Sequence, residues 1–178
     1  MKAWLKHITI LVMVLFTLTS AALAQQPVYT LGSGDEVRIT VFDEEDLSGK
    51  FTVSGEGDLS LPLIGNITAV GKNLRQLEDD LMAKLSDGYL KQPRVNIEVL
   101  NYRPFYILGE VNEPGSYPYV NGMTVLNAVA LGAGYTNRAN KEKITVIRAT
   151  DLSQTPQIIT PEEVILPGDL VRVEERFW

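Results

Sequence analysis

The chain has 178 residues, of which 16 are basic and 22 acidic, with one histidine and no cysteine, so its formal net charge is −6. This acidic balance disfavours binding to nucleic acid, whose phosphates need neutralisation by lysine and arginine. Without cysteine the chain forms no disulfides, so its fold must rest on packing alone.

Residues 1–24 have the pattern of a secretory signal peptide. Lys2 and Lys6 make a basic start, residues 8–16 are apolar apart from one threonine, and Ala22 and Ala24 suit the small-residue positions of a cleavage site. We expect cleavage after Ala24. The alternative is a retained membrane anchor, which is disfavoured because the run is short for a span of about 20 residues. No cysteine follows the site, so no lipid anchor is expected.

Cleavage would change the chemistry that is available to the mature chain. It removes Lys2, Lys6 and His7 and leaves 154 residues (178 − 24), with 14 basic against 22 acidic side chains and a net charge of −8. A chain with neither histidine nor cysteine excludes Ser-His and Cys-His nucleophilic sites and the usual zinc ligands. We therefore expect a protein that is not an enzyme and needs no cofactor or metal. Paired carboxylates of the glycosidase kind remain the one open catalytic alternative.

The mature chain predicts two small α+β domains, residues 25–101 and residues 102–178, each a mixed sheet with one packed helix. In the first, residues 32–35 form a Gly-Ser-Gly-Asp turn and the next residues alternate as a strand. Phe51–Val53 and Leu59–Leu61 are predicted to pair as a hairpin, with a further turn at Gly65-Asn66. Domains of this size bury only a little more than about 60% of their surface on folding and are marginally stable, which favours association with neighbours.

A helix follows in the first domain, and a strand ends it. Asn73 is the predicted N-cap with Gln76 as its capping-box partner, and the helix is predicted to end at Gly88. The predicted apolar stripe consists of Leu74, Leu77, Leu81 and Leu85. Val95, Ile97 and Val99 then alternate as a strand.

The second domain repeats the order of hairpin, helix and strands. Phe105–Val111 and Tyr117–Val120 are predicted as two arms, with Pro118 indicating a sheet edge. Thr124 caps a helix that ends at Gly132–Gly134. The remaining predicted segments are a strand at 143–148, a polar loop at 149–163 and extended segments at 164–169 and 170–173. The sequence Gly34–Ile39 also resembles Gly168–Val173, which we interpret as the same turn-into-strand chemistry and not as a repeat architecture.

Two acidic or glycine-rich segments invite a functional interpretation. Asp43–Asp46 contains four adjacent carboxylates, which favour a solvated loop over a weak cation site or a catalytic pair. Gly32–Asp35 lacks the following lysine and the helix of a phosphate-binding loop, so that function is not expected.

Several long motifs resemble the polysaccharide export protein family. In the first half they are Tyr29–Asp35, Gly57–Gly65 and Tyr89–Pro93, which resemble the polysaccharide export domain. In the second half they are Arg103–Val111, Pro114–Tyr117, Gly122–Leu126 and Ala133–Tyr135, which resemble the soluble-ligand-binding β-grasp (SLBB) domain that follows it. Together these motifs span nearly all of the mature chain.

This resemblance implies a subunit of a capsule or exopolysaccharide export apparatus. It implies a homo-oligomeric ring that handles polysaccharide together with an inner-membrane polymerase and chain-length regulator. The expected location is the periplasm, in association with the outer membrane. Many members carry a lipidated cysteine, and the largest carry an outer-membrane helix; neither pattern is found here, so a separate outer-membrane protein is an expected partner. The alternative is a periplasmic glycan-binding module that forms no channel.

All candidate contact residues lie in the second half of the chain, where tyrosines are frequent. Tyrosine rings can stack on sugars or fill a small core, and both interpretations remain open. Pro104 restricts Arg103 to extended backbone, which suits either a fixed inter-domain angle or an ion pair with a neighbouring subunit. The candidate glycan or subunit contacts are Arg103, Tyr106, Tyr117, Tyr119 and Tyr135.

Overall fold

The computed structural model describes residues 28–176, so the predicted signal peptide lies outside the described residues. The first domain contains β1 Glu36–Val41, β2 Gly49–Thr52, β3 Asp58–Leu61, β4 Gly65–Thr68, α1 Leu74–Ser86 and β5 Val95–Asn101, with a 3-10 turn at Glu45–Leu47. The second contains β6 Phe105–Gly109, β7 Gly115–Tyr117, α2 Val125–Leu131, β8 Ala139–Ile147, β9 Gln157–Ile159 and β10 Leu170–Glu175. The α+β prediction is confirmed.

The first domain is built on an antiparallel sheet in the order β2-β1-β5, with β3 and β4 as a separate two-stranded sheet. The helix α1 begins with the predicted capping box, in which Asn73 and Gln76 satisfy each other's backbone N–H groups. Its stripe is confirmed, because Leu77, Leu81 and Leu85 are fully buried in one core with β1, β3 and β5. Glu78, which follows Leu77 in α1, accepts a hydrogen bond from the backbone N–H of Ile97 in β5.

The predicted hairpin between Phe51–Val53 and Leu59–Leu61 is wrong in its pairing, although both segments are largely extended. The strand β2 pairs with β1, whereas β3 pairs with β4. The intervening turn is closed by hydrogen bonds from Ser54 N–H to the Asp58 carbonyl and from Gly57 N–H to the Ser54 carbonyl. The Gly57 carbonyl then accepts from the N–H groups of Ala69 and Val70, which draws β3 toward β4 and out of the first sheet.

Gly65 and Asn66 lie within β4, so the turn predicted there is also misplaced. The chain reverses at residues 62–64 instead, where the N–H of Ile64 donates to the carbonyl of Pro62 at 2.8 Å. Leu63 adopts a φ of 65° at this reversal. Pro62 is a usual turn residue, but leucine rarely adopts the left-handed region, and Gly65-Asn66 carries the stronger turn signal, which explains why the sequence pattern misplaced the turn.

The second domain is a five-stranded sheet in the order β7-β6-β10-β8-β9, with β6 and β10 parallel and the other pairs antiparallel. The helix α2 begins with a capping box at Thr124 and Asn127 and packs into a core with Phe105, Ile107 and Val171. The second arm, predicted at Tyr117–Val120, lies earlier in the chain, because β7 ends at Tyr117 and residues 118–120 are not in a strand. The strand β7 is nevertheless at the edge of the sheet, as Pro118 indicated. The segment predicted as a plain loop at 149–163 contains β9, a short edge strand.

Neither helix within residues 28–176 has the length and apolar content that crossing a bilayer requires.

Candidate functional site

The two Gly-Asp motifs that resemble each other in sequence form the same buried structure. Asp35, which follows Gly34, is completely buried and accepts hydrogen bonds from four donors. These are the Tyr29 hydroxyl at 2.6 Å, the Gly32 N–H at 2.8 Å, and the N–H and Nη1 of Arg103 at 2.7 and 2.6 Å. Because all four donors converge on one carboxylate, they offset the cost of burying its charge.

Asp169, which follows Gly168, has an equivalent set of partners. Its carboxylate accepts from the Leu166 N–H at 2.8 Å, from Nη1 of Arg148 at 2.7 Å and from the Ala149 N–H at 3.2 Å. In both motifs the N–H three residues before the aspartate closes a turn, and an arginine just beyond the neighbouring antiparallel strand supplies the positive charge. The two motifs therefore share the turn that leads into a strand, as the sequence indicated. They also share a buried Asp-Arg pair, which the sequence did not predict.

The two pairs differ in what they connect. Arg148 and Asp169 both belong to the second domain, whereas Arg103 lies at the start of the second domain and Asp35 is in the core of the first. The acidic partner of Arg103 is therefore in the same chain, which agrees with the first of the two interpretations of Arg103, a fixed angle between the domains, and not with an ion pair to a neighbouring subunit. This contact ties the segment between β5 and β6 to the turn that precedes β1 in the first domain.

Glycine on both sides makes room for the Arg103 side chain. A Cβ atom built on Gly168 would lie 2.7 Å from Nε of Arg103, and one built on Gly32 would overlap its guanidinium. The N–H of Gly168 also donates to the carbonyl of Pro104 at 3.0 Å. The guanidinium is thus enclosed between a turn of each domain, and we name Asp35, Arg103, Gly32 and Gly168 the junction clamp.

Three tyrosine rings continue the contact between the domains. Tyr29 and Tyr102 meet edge to face with centroids 5.0 Å apart, and Tyr102 meets Tyr119 in the same way at 5.3 Å. Burial, followed by the hydrogen bond to Asp35, raises the pKa of Tyr29 far above its usual value. Burial likewise raises the pKa of Tyr102 and Tyr119. These hydroxyls therefore stay protonated at physiological pH and serve packing and hydrogen bonding.

The structure places the candidate tyrosines in different environments. Tyr119 is 7% exposed and belongs to the core, so it is unsuited to direct glycan contact. Tyr117 stacks on Phe105 at 6.0 Å, and its hydroxyl donates to the Glu113 carbonyl. Tyr135 packs against the core with a buried hydroxyl that has no partner among residues 28–176, and Lys141 lies over its ring. Tyr106 is 45% exposed and is the candidate whose ring is open to solvent.

Tyr106 and Arg103 come together in a groove between the two domains, with a volume of about 620 Å³. The first domain contributes Thr30–Gly34 with Val70 and Gly71, and the second contributes Arg103, Pro104, Tyr106, Ala149, Thr150, Leu152 and Gly168. The groove therefore combines exposed backbone at glycines, three hydroxyl side chains from serine and threonine, a guanidinium and one aromatic ring. Such a mixture suits a polar ligand with an apolar face more than a purely hydrophobic one.

The acidic run does not form a convergent site. Asp43, Glu45 and Asp46 are exposed around the 3-10 turn, as the solvated-loop interpretation expects. Within residues 28–176 no three side chains of the types His, Cys, Asp or Glu are grouped as metal ligands would be.

Comparison with known proteins gives matches for both domains. Residues 23–100 match the polysaccharide biosynthesis/export protein family, and residues 104–159 match the SLBB domain. The order of these two matches defines a class of proteins in which an export domain precedes an SLBB domain. The chain belongs to the polysaccharide biosynthesis/export protein family.

Individual relatives carry related names. The chain is 35% identical over 137 residues to the exopolysaccharide production protein ExoF of Rhizobium meliloti, covering 70% of this chain and 32% of that protein. It is 29% identical to the EPS I polysaccharide export outer membrane protein EpsA of Ralstonia nicotianae, covering 86% of this chain and 49% of that protein. It is 25% identical to the polysialic acid transport protein KpsD of Escherichia coli, covering 65% and 21% respectively. The chain thus spans half or less of the length of these relatives.

Proposed function

We propose that this protein is a non-catalytic subunit of a bacterial apparatus that moves a capsule or exopolysaccharide through the periplasm and across the outer membrane. The single observation that carries the proposal is the order of the two matched domains, an export domain followed by an SLBB domain. The names of the relatives, which describe exopolysaccharide production, polysaccharide export and polysialic acid transport, support the same substrate class.

The oligomeric state that we propose follows from the small size of the two domains. Two small domains, each with its own core, would gain stability from contacts with further copies, which favours a homo-oligomeric ring. The partners would be an inner-membrane polymerase and chain-length regulator and a separate outer-membrane protein. Export by the signal peptide would place the protein in the periplasm, next to the outer membrane.

Deletion of the gene tests the transport role. We expect polymer to accumulate inside the envelope and to disappear from the medium, because synthesis continues while exit is blocked. Complementation with the full chain should restore secretion, and complementation with a chain lacking residues 1–24 should not. Normal secretion in the deletion strain would contradict the proposal.

A periplasmic glycan-binding module is the second candidate, and the groove with the exposed Tyr106 favours it. Mass measurement of the purified mature protein separates the two. A ring gives one large discrete oligomer, whereas a module gives a monomer. Hydrolysis assays on the polymer test the remaining alternative of a two-carboxylate glycosidase, for which we expect no product.

A further inference from the structure

The second domain has one sheet face that α2 does not cover. Side chains in a strand alternate between faces, and the core takes Phe105, Ile107, Val171, Val173, Ile144 and Val146 together with α2. The intervening residues of the same strands therefore point to the other side, which we name the outer face. On the three central strands it comprises Tyr106 and Leu108 from β6, Leu170 and Arg172 from β10, and Thr145 and Ile147 from β8.

Strand register arranges the outer face in rows. Leu170 lies opposite Tyr106 on one side and Ile147 on the other, which makes a row of one aromatic and two aliphatic side chains. Arg172 lies between Leu108 and Thr145 in the next row. Neighbouring strands are about 4.8 Å apart, so one ligand can contact all three side chains of a row at once. The face therefore offers an apolar strip with a guanidinium and a hydroxyl beside it.

The outer face is continuous with the inter-domain groove, because Tyr106 belongs to both. The junction clamp holds the two walls of the groove together, since Asp35 and Gly32 are on one wall and Arg103 and Gly168 on the other. A ligand that enters the groove would thus meet the Tyr106 ring at a fixed distance from the Gly32–Gly34 backbone. A preorganised surface of this kind lowers the entropic cost of binding.

We propose that the groove and the adjoining outer face bind a saccharide segment, with the Tyr106 ring as the stacking platform. Saccharide rings present an apolar C–H face and a rim of hydroxyls, which matches an aromatic ring flanked by backbone groups, hydroxyl side chains and arginines. This inference rests on the proposed function, because it identifies the polymer in transit as the ligand.

Calorimetric titration of the mature chain tests the inference. The probe is an oligosaccharide mixture prepared by partial acid hydrolysis of the exopolysaccharide that the producing bacterium secretes. Loss of the ring in Tyr106→Ala should weaken binding roughly threefold to tenfold, as expected for one stacking contact. Tyr106→Phe should bind almost as well as the unaltered chain, because it keeps the ring.

Tyr89→Ala is the matched control, since Tyr89 is also exposed but lies beyond α1 and outside both the groove and the outer face. Its affinity should be unchanged. Because Tyr106 is exposed, thermal unfolding of Tyr106→Ala should remain close to that of the unaltered chain.

Three results would overturn the inference. They are equal binding by Tyr106→Ala and Tyr89→Ala, no binding by the unaltered chain, and a change of oligomer mass in Tyr106→Ala that marks the face as a contact between copies. None of them decides the proposed function, which the secretion of polymer by the deletion and complemented strains tests separately. Blocked secretion with no binding would leave transport in place and remove this site.

Discussion

Arg103→Met probes the junction clamp while keeping most of the side-chain volume. The substitution leaves the Asp35 carboxylate without its guanidinium, although three hydrogen-bond donors remain: the Tyr29 hydroxyl and the N–H groups of Gly32 and residue 103. Breaking a buried ion pair by removing one partner costs about 3–5 kcal/mol. Because three donors remain, we expect a loss near the lower end, about 3 kcal/mol in the free energy of unfolding.

Urea unfolding of the mature chain, followed by circular dichroism, measures this loss. The control is Arg38→Met, which removes a pair of the same type between Arg38 and Glu98 on the exposed side of β1 and β5. Both of its side chains are about half exposed, at 46% and 51%, so that loss should stay below about 1 kcal/mol. If Arg103→Met costs no more than Arg38→Met, the argument from burial is refuted.

A second comparison separates stability from domain orientation. Arg148→Met removes the equivalent partner of Asp169 inside the second domain and should destabilise by a similar amount. Only Arg103→Met should also loosen the angle between the domains. Since the chain has no cysteine, Lys50→Cys and Lys143→Cys can carry two spin labels, one on each domain. The distance distribution should broaden in Arg103→Met and stay narrow in Arg148→Met; equal widths would contradict a junction role.

Three further outcomes are expected. Gly109 has a φ of +86°, and a Cβ atom there would overlap the Val173 carbonyl in β10, so Gly109→Ala should lower the free energy of unfolding by several kcal/mol. Gly88 has a similar φ of +90° but open space around it, so Gly88→Ala should cost about 1 kcal/mol. Equal losses in urea unfolding would argue against the steric reason. Because the pKa of Tyr29 is raised in the folded chain, the unfolded chain loses this proton above pH about 10 while the folded chain keeps it. The free energy of unfolding should therefore fall as pH rises above that value, and Tyr29→Phe should make this dependence on pH weaker. Asn73→Ala should cost about 1 kcal/mol in thermal unfolding, and no loss would show that the capping box contributes nothing.

Local signals predicted the helices well. The capping boxes at Asn73 and Thr124 and the buried face of α1 all agree with the structure. They were predictable because a cap, its partner three residues on and the next apolar turn lie within a few residues of each other. The family resemblance was equally visible in the sequence, since its motifs are long and continuous.

Strand partners were less predictable. The segments β2 and β3 are extended as the alternation indicates, but alternation does not say which strand pairs with which. A turn of five residues looked like a hairpin loop, and the contacts that redirect β3 come from Gly57 to Ala69 and Val70, more than ten residues away. The edge strand β9 was missed because a three-residue strand in a polar segment has too few positions to show a period.

By itself the sequence determined both helices and the likeness of the two Gly-Asp motifs. Only the tertiary structure decided what those motifs do, because the arginine that neutralises Asp35 comes from a position 68 residues later, beyond the partner strand. The tertiary structure also decided which tyrosines are exposed, because Tyr119 is buried in the core and Tyr106 lies on an exposed face of the sheet. An aromatic or charged residue reveals its chemistry in the sequence, but its burial and partners depend on strands that are distant along the chain.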